Sequence, residues 1–183
     1  PGNPITQHPP KQPGVWRLLL LGTQTGAITH KRYPDFADYV QPGDVVVLND
    51  TKVIKARLVA KNTNGQIREL LLLEDHHNTD FTRRNALYRG KLLMGELLDV
   101  NGTTIKVEAV LGGGIAEISS RVNLLYLAEQ VGSVPLPPYM KRDATAEDTN
   151  RYQTVFARGS GSVAAPTASL NFTHELQECL KFK

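Results

Sequence analysis

The stretch 97–111, LLDVNGTTIKVEAVL, carries the clearest folding signal in the chain. Its centre is Asn101-Gly102, and on both sides of this pair apolar and polar side chains alternate, as in Ile105 and Lys106. An Asn-Gly pair between two alternating runs is the strongest short signal for a β-hairpin, because both residues accept the positive φ angles of a tight turn. The stretch therefore predicts two antiparallel strands, each with one face towards a core.

Further hairpin signals lie on both sides of this first one. Residues 52–73 contain an alternating apolar run, a turn at Asn64-Gly65 and a returning run. Residues 112–114 are three glycines that lead into another short strand at 115–119. Five or six short strands with little helix between them indicate a small β-barrel or a β-sandwich.

The N-terminal flank has the pattern of an α/β region. Residues 1–14 carry five prolines and predict an extended arm, and residues 16–21 and 27–33 predict two strands joined by a turn. Asp35 is placed to act as the N-cap of a short helix. Residues 45–48, VVVL, form a continuous apolar run, so we expect a strand that is buried on both faces.

Three polar residues, Asn49, Asp50 and Thr51, follow this apolar run directly. In open α/β sheets, ligands bind beside the carboxyl ends of the strands, which makes this position a candidate site. The alternative is an Asx-turn, in which Asn49 and Asp50 bond to their own backbone. Without further context, the Asx-turn is the more common outcome.

The C-terminal flank begins with a helix and a stiff segment. Residues 122–131 place apolar side chains on one face, and Gly132 is a typical residue at a helix C-terminus. The prolines of 135–143, PLPPYMKRD, fix the backbone, either as a rigid linker or as a support for polar groups. The side chains presented there are Tyr139, Lys141 and Arg142.

Small residues dominate the second half of the stretch 151–173, RYQTVFARGSGSVAAPTASLNFT. Small residues let a backbone approach a ligand closely, and N–H groups at a helix start favour a carboxylate or phosphate. The stretch therefore has the composition of a site for a polar small molecule. A flexible surface loop has the same composition and stands as an equal alternative. We expect Thr173 to cap the helix that follows.

Composition and charge narrow the class of protein. The chain has 183 residues, 40% of them hydrophobic and 21% charged, which suits one large or two small domains with a core. A net charge of +3 permits a nucleic-acid partner without requiring one. No apolar run reaches the length of a membrane span, and the single cysteine, Cys179, suits a reducing cytoplasm. The adjacent His76 and His77 lack surrounding ligands, so we expect no metal site.

Basic and aromatic residues mix between 81 and 91. Such a stretch can grip phosphates and stack bases, but more often it is a solvated rim. Its members are Phe81, Arg83, Arg84, Tyr88, Arg89 and Lys91.

Four segments together resemble one family, the S-adenosylmethionine:tRNA ribosyltransferase-isomerases of queuosine biosynthesis. They are PGDVVVLNDTKVIKARL at 42–58, PLPPYMKRD at 135–143, DTNRYQTVFA at 148–157 and GSVAAPTASLNFT at 161–173. They occur in the family's order, and the resemblance covers most of the chain. It implies an α/β domain with an inserted small β-barrel domain. We place the discontinuous α/β domain at 1–56 and 146–183, and the barrel, with a following helix and linker, at 57–145.

The resemblance also implies a reaction and its partners. The ribosyl moiety of S-adenosylmethionine is transferred to 7-aminomethyl-7-deazaguanine in tRNA and isomerised, which gives epoxyqueuosine and releases adenine and methionine. S-adenosylmethionine is thus the ribosyl donor, tRNA is the partner, and no metal is implied. We expect a cytoplasmic monomer with no membrane attachment.

Roles follow for individual residues. A sulfonium acidifies the C–H bonds beside it, so a base is needed, and Asp50 is the candidate because burial at a strand end raises the pKa of a carboxyl. Arg151 could hold the methionine carboxylate, and Tyr152 or Tyr139 could place an aromatic face on the sulfonium. The catalytic candidates are Asp50, Tyr152, Thr167 and Asn171. The candidates for binding S-adenosylmethionine are Asn49, Thr51, Arg151, Gln153, Ser162, Ala164 and Pro166. The candidates for binding tRNA are Arg57, Tyr139, Lys141 and Arg142.

Two departures from the family pattern leave alternatives open. Asn171 stands where the family usually has histidine, and an amide cannot act as an acid or base near neutral pH. The family's proteins are also considerably longer. A non-catalytic RNA-binding paralogue or fragment is therefore one alternative, and an S-adenosylmethionine-dependent enzyme acting on another nucleoside is a second.

Overall fold

The computed structural model describes residues 7–8, 15–75 and 78–181. They form two compact units. The barrel unit comprises Thr51–Gln153 and Arg158–Ala165, and the terminal unit comprises the described parts of Pro1–Asp50, Thr154–Ala157 and Pro166–Lys183. The predicted arm, apart from residues 7–8, and the pair His76-His77 lie outside the described residues.

The regular elements are mostly short strands. In chain order they are β1 (Arg17–Leu21), β2 (Ile28–Arg32), β3 (Thr51–Val53), β4 (Arg57–Asn62), β5 (Ile67–Leu72), β6 (Arg83–Arg89), β7 (Leu97–Val100), β8 (Thr103–Gly112), β9 (Ile115–Ser120) and β10 (Gly159–Ser162). The α-helices are α1 (Leu124–Val131), α2 (Ala146–Arg151) and α3 (His174–Lys181), and two 3₁₀ segments span Tyr33–Tyr39 and Thr167–Asn171.

A closed barrel of six strands in the order β4-β5-β6-β9-β8-β7 forms the centre of the barrel unit. Neighbouring strands are antiparallel, and β7 closes the barrel by pairing with β4. The β7–β8 turn follows the prediction, because Val100 lies opposite Thr103 and the two turn residues have positive φ, 49° at Asn101 and 84° at Gly102. The hairpin signals left a barrel or a sandwich open, and the barrel that the family resemblance implied is confirmed.

The barrel core consists of alternate residues from each strand. Because successive side chains of a strand point to opposite faces, each strand contributes one face to the interior. The largest fully buried side chains are Leu58, Leu70, Leu72, Leu98, Val100, Ile105, Val107, Ile118, Leu124 and Val134. Helix α1 adds Leu124, Leu127 and Ala128 to the same cluster. The Asn123 side chain caps this helix by accepting from the N–H groups of Leu125 and Tyr126.

Gly132 ends α1 for a different reason from the one its sequence position suggests. Its φ is −81°, which any residue can adopt, so the left-handed conformation typical of a C-terminal glycine is not used. A Cβ atom built at this position would lie 2.1 Å from the Lys55 carbonyl oxygen and 2.5 Å from that of Ala128. The next residue, Ser133, then forms a pair of backbone hydrogen bonds with Arg57 at the start of β4. The absent side chain thus allows the chain after α1 to reach the barrel.

The terminal unit contains the predicted N-terminal hairpin and a small aromatic core. β1 and β2 are antiparallel, from Arg17 opposite Arg32 to Leu21 opposite Ile28. The core consists of Ala37, Phe156, Phe172 and Leu176. The rings of Phe156 and Phe172 meet edge to face with centroids 5.7 Å apart. Thr173 caps α3 as predicted, since its Oγ1 accepts from the Leu176 N–H at 3.2 Å.

Two predictions for the terminal unit are wrong. Residues 45–48 were expected as a doubly buried strand, but they have no regular secondary structure, and Val45 and Val47 are 86% and 87% exposed. The reason is that no described strand pairs with them or covers them. Asp35 is not the N-cap of its helix. It lies inside the 3₁₀ segment and its carboxylate accepts from the Arg32 N–H at 2.9 Å.

The sheets outside the barrel are small. Among the described residues they are the β1–β2 pair and a parallel β3–β10 pair. The α/β arrangement expected for 1–56 and 146–183 therefore remains a prediction, as do the domain boundaries. None of the helices in the described part of the chain is long and apolar enough to cross a membrane.

Replacing Gly132 by alanine tests the close approach after α1. We expect the Gly132→Ala variant to lose about 1–3 kcal/mol of unfolding free energy, because the new methyl group overlaps backbone atoms that cannot move independently. Gly159→Ala is the matched control, since a Cβ there meets nothing within 4 Å. Urea unfolding followed by circular dichroism measures both. Equal stability of the two variants would contradict the steric explanation.

Candidate functional site

Part of the small-residue stretch pairs with the short strand that begins at Thr51. β10 pairs in parallel with β3, with Gly159 opposite Thr51 and Ser162 opposite Val53. The Ile54 N–H extends the pair by donating to the Ser162 carbonyl at 2.9 Å. Two of the segments that carry the family resemblance, 42–58 and 161–173, are thus joined by backbone hydrogen bonds within the barrel unit.

Gln153 secures the opposite edge of β3. Its Oε1 accepts from the Val53 N–H at 2.9 Å, and its Nε2 donates to the Val53 carbonyl at 2.7 Å. Successive residues of a strand direct their N–H and C=O groups to opposite edges, so this amide bonds the edge that faces away from β10. Gln153 is a candidate for binding S-adenosylmethionine. Its amide forms the two hydrogen bonds that a neighbouring strand would form with Val53, and it thereby fixes the position of β3.

Glu74 holds the other strand and the turn after it. Its Oε1 accepts from the Ser162 hydroxyl at 2.6 Å and from the Val163 N–H at 2.8 Å. The Ser162 Oγ in turn accepts from the Ala164 N–H at 3.2 Å. The candidates Ser162 and Ala164 are therefore ordered by one carboxylate. Sequence reasoning missed Glu74, because it stands at the start of a polar turn with no motif around it.

Tyr152 follows α2 and is half-buried. Burial raises the pKa of the Tyr152 phenol, and the nearby Tyr139 phenol raises this pKa further. The Tyr152 phenol, neutral at physiological pH like that of an ordinary tyrosine, therefore stays protonated to a higher pH. The two tyrosines considered for an aromatic contact are thus within electrostatic reach of each other in the barrel unit, and Tyr139 is 52% exposed.

Arg151 is oriented by its own helix. Its Nε lies 2.7 Å from the Glu147 Oε1, an i,i+4 ion pair on α2. The Arg151 side chain is 24% exposed and Glu147 is 65% exposed, so the acidic partner is the solvated one. An incoming carboxylate could therefore share or replace Glu147 at this guanidinium.

Two of the four tRNA candidates are engaged within the chain. Arg142 binds Asp148 in a bidentate manner, with its two terminal nitrogens 2.6 and 2.8 Å from the carboxylate oxygens. Arg57 lies 2.7 Å from Glu69 across β4 and β5. Tyr139 and Lys141 are exposed on the proline-rich segment.

The Arg142–Asp148 pair also determines how α2 begins. The Asp148 carboxylate accepts from the Thr145 N–H at 2.7 Å and from its hydroxyl at 2.9 Å. Hydrogen bonds from Arg142, then those from Thr145, hold the pKa of the Asp148 carboxyl well below its ordinary value. Because Arg151 ends this short helix and Tyr152 and Gln153 follow it directly, the pair positions all three.

The mixed basic and aromatic stretch is mostly used within the barrel. Arg84 is buried, with its guanidinium 5.5 Å from the Phe81 ring centroid and one nitrogen bonded to the Asp75 carbonyl. Arg83 pairs with Glu117 at 3.0 Å on the outer face. Arg89 is the more exposed member, 3.9 Å from Glu69. The three arginines of this stretch thus contact groups of the barrel itself, which is more typical of a structural ion-pair network than of a nucleic-acid-binding surface.

The remaining candidates belong to the terminal unit. Asn49 and Asp50 follow the irregular apolar segment and are exposed, so the burial expected for the Asp50 carboxyl is not found. Pro166 precedes the 3₁₀ segment Thr167–Asn171, whose two end residues are the candidates Thr167 and Asn171. No group of three or more His, Cys, Asp or Glu side chains in the described part of the chain is arranged to hold a metal ion.

Removing the Glu74 carboxylate should free the turn after β10. We expect Glu74→Ala to speed hydrogen exchange of the Val163 amide by about 10-fold or more, because a hydrogen bond to a charged acceptor contributes about 1.5–3 kcal/mol. Glu74→Gln keeps an acceptor oxygen and should have a smaller effect. Glu117→Ala, which removes another partly exposed carboxylate of the barrel, is the control. Unchanged Val163 exchange in Glu74→Ala would show that the backbone pairing alone holds this turn.

The Asp148 carboxyl should make the stability of the barrel unit depend on pH in acid. Its unfolded pKa is about 3.8 and its folded pKa is lower. Between these two values the unfolded chain binds a proton and the folded chain does not, so unfolding free energy falls as pH falls below about 4. We expect Asp148→Asn to cost about 2–4 kcal/mol at pH 7 and to reduce this dependence. Asp143→Asn, at an exposed position nearby, is the control, and denaturant unfolding between pH 2.5 and 7 is the measurement. A pH profile unaltered by Asp148→Asn would contradict the assignment.

Comparison with known proteins places these features in a family. A sequence profile described as "Queuosine biosynthesis protein" matches residues 1–183. The S-adenosylmethionine:tRNA ribosyltransferase-isomerase of Chlorobium chlorochromatii is 48% identical over 99% of this chain and 53% of its own length. That of Chlorobaculum parvum is 47% identical over 100% of this chain and 53% of its own. The crystal structure of the S-adenosylmethionine tRNA ribosyltransferase from Thermotoga maritima is 25% identical over 98% of this chain and 50% of that one, with a TM-score of 0.37.

The chain therefore spans about half the length of the curated relatives it matches. The match nevertheless runs through the whole sequence given, including β3, β10 and the residues that hold them. The chain belongs to the queuosine biosynthesis protein family.

Proposed function

We propose that this chain takes part in transferring the ribosyl moiety of S-adenosylmethionine to 7-aminomethyl-7-deazaguanine in tRNA. The ribosyl unit is isomerised to give epoxyqueuosine, and adenine and methionine are released. The observation that carries the proposal is the β3–β10 pair, because it joins two segments through which the chain resembles the ribosyltransferase-isomerases. The enzyme name of the relatives supports the same reaction class.

The first chemical step requires a base. The positive sulfur of a sulfonium acidifies the adjacent C–H bonds, so a carboxylate nearby can remove a proton. We assign this role to Asp50, which immediately precedes β3 in the sequence. Its exposure in the chain alone means that substrate binding would have to exclude water from this carboxylate, which strengthens its electrostatic interactions.

Binding the methionine part requires a counter-charge and small neighbours. Arg151 is held in place by the exposed Glu147, so its guanidinium is oriented before a carboxylate arrives. Ser162, Ala164 and Pro166 belong to the small-residue stretch, where side chains of little bulk let the backbone approach a ligand closely. Asn49 and Thr51 flank the proposed base and supply further hydrogen-bonding groups.

The cationic sulfur favours a neutral aromatic surface. Tyr152 offers an uncharged, half-buried aromatic ring in the barrel unit. Thr167 and Asn171 can orient reacting groups through hydrogen bonds, although neither side chain is an efficient proton donor near neutral pH. Gln153 acts indirectly in this proposal, by holding β3 through Val53.

A second candidate function is RNA binding without catalysis. It is favoured by Asn171, which stands where the family pattern usually has histidine. In this case the proline-rich segment with Tyr139 and Lys141 would contact tRNA, and S-adenosylmethionine would not react.

Adenine release separates these candidates. The chain is incubated with S-adenosylmethionine, with or without tRNA carrying the deazaguanine precursor, and free adenine is measured by chromatography. We expect release only with that tRNA. Asp50→Asn should lower the rate by about 10²–10⁴-fold, which is the usual contribution of a general base. Asp38→Asn removes another exposed carboxylate of the terminal unit and is the matched control.

Each other outcome has a distinct meaning. Binding of the tRNA without adenine release would support the RNA-binding candidate, and release with a different nucleoside would support another S-adenosylmethionine-dependent reaction. A full rate in Asp50→Asn would remove Asp50 as the base. Absence of both binding and release would overturn the proposal.

A further inference from the structure

The β1–β2 hairpin of the terminal unit has two faces of different character. Leu18 and Leu20 are partly buried, so the hairpin packs through the face that carries them. Residues that lie opposite each other in an antiparallel pair direct their side chains to the same face. The other face, called the outer hairpin face, is exposed and consists of Arg17, Leu19, Leu21, Ile28, His30 and Arg32.

Two like charges lie directly opposite each other on the outer hairpin face. Arg17 is the register partner of Arg32, and such a pair repels across the strands and destabilises the hairpin. A carboxylate beside the pair would remove the repulsion, but no ion pair in the described part of the chain includes Arg17, Lys31 or Arg32. Residues 15–34 contain no Asp or Glu at all. An anion from outside would therefore relieve a repulsion that these residues leave uncompensated.

The positive charge surplus of the chain coincides with this hairpin. Of the 21 Lys and Arg residues, three belong to the stretch 15–34, and the remaining 18 equal the 18 Asp and Glu residues in number. Arginines of the barrel unit are paired, as Arg57 is with Glu69 and Arg83 with Glu117. Unpaired charges of one sign on one surface attract a counter-ion and speed its association. The hairpin is therefore the part of the terminal unit most suited to a polyanion.

The chemistry of the outer hairpin face matches a nucleic-acid strand. Guanidinium groups bind phosphate oxygens through paired N–H donors, and their planes also stack on unpaired RNA bases. Leu19, Leu21 and Ile28 share the face with the two arginines and are 57%, 58% and 59% exposed. A nucleic-acid strand presents phosphates and base faces side by side, so a surface that combines guanidinium groups with aliphatic side chains is complementary to both.

We propose that the outer hairpin face binds the phosphate backbone of tRNA, with Arg17 and Arg32 each contacting a phosphate. The inference rests on the proposed function, which names tRNA as the partner, and it adds a contact surface that none of the candidate residues above belongs to. Because phosphate contacts carry no direct sequence information, the hairpin positions the RNA and leaves recognition of the deazaguanine to other residues.

The salt dependence of tRNA binding tests this contact. The Kd of the chain for tRNA carrying the deazaguanine precursor is measured between about 50 and 200 mM salt, a range over which phosphate contacts weaken strongly. We expect the double variant Arg17→Gln/Arg32→Gln to bind at least about 10-fold more weakly at the lower concentration. The slope of log K against log salt should fall by about 2, because each phosphate contact contributes about 1 to it. Arg17→Lys/Arg32→Lys keeps both charges and should keep the slope.

The matched control removes the same formal charge from the barrel. Arg83→Gln/Arg89→Gln replaces two exposed arginines that are already ion-paired, so we expect the slope to stay nearly unchanged. An equal fall of the slope in both glutamine variants would overturn the inference, because overall charge would then suffice. The thermal unfolding midpoint of Arg17→Gln/Arg32→Gln should be no lower than that of the unaltered chain, because both side chains are exposed and repel each other.

Adenine release separates this inference from the proposed reaction. Binding of tRNA that depends on Arg17 and Arg32 but leads to no adenine release would support the inference and count only against the reaction. Release with an unchanged KM for tRNA in Arg17→Gln/Arg32→Gln would overturn the inference and leave the reaction intact. Two further results would overturn it: no tRNA binding by the unaltered chain, or binding through the two arginines to vesicles containing phosphatidylglycerol and not to tRNA.

Discussion

The parallel pairing of β3 with β10 is the constraint on which the barrel unit depends. Parallel strands cannot be joined by a tight turn and need a crossover connection. Here the connection runs from Ile54 to Arg158 and contains all six barrel strands. The six barrel strands therefore lie within the crossover connection between β3 and β10. Because the barrel strands order this long connection, the entropy cost of bringing its ends together is far smaller than for a flexible loop of the same length.

β10 has little intrinsic preference for a strand. Its sequence, GSGS, consists only of glycine and serine, and glycine weakens strands because it loses the most conformational freedom on folding. Two polar side chains of the barrel unit stabilise the pair instead. Gln153 forms hydrogen bonds with the backbone of β3, and Glu74 accepts hydrogen bonds from β10 and from the turn after it. A strand that is held by side-chain hydrogen bonds and has no bulk of its own leaves its surface open to a ligand.

Sequence patterns predicted the parts of the fold that depend on local rules. Alternation and the Asn101-Gly102 pair predicted the β7–β8 hairpin, and the repeated turn signals indicated a barrel or a sandwich, of which the structure shows the barrel. The same rules failed for residues 45–48, because a continuous apolar run indicates that a segment is suited to burial but not what buries it. They also gave the wrong reason for Gly132, whose need for glycine comes from the Lys55 carbonyl, a contact distant in sequence.

The candidate site shows a similar division. Its segments could be found from sequence because they are long and distinctive, whereas Glu74 and the role of Gln153 could not, since a side chain bonded to a distant backbone leaves no periodic pattern. Charge is subject to the same limit. The net charge of +3 permits an RNA partner without requiring one, and Arg57, Arg83 and Arg142 bind carboxylates of the barrel unit itself. Since a neutralised ion pair attracts phosphate weakly, tRNA recognition in the proposed reaction has to come from oriented contacts such as those of the proline-rich segment more than from overall charge.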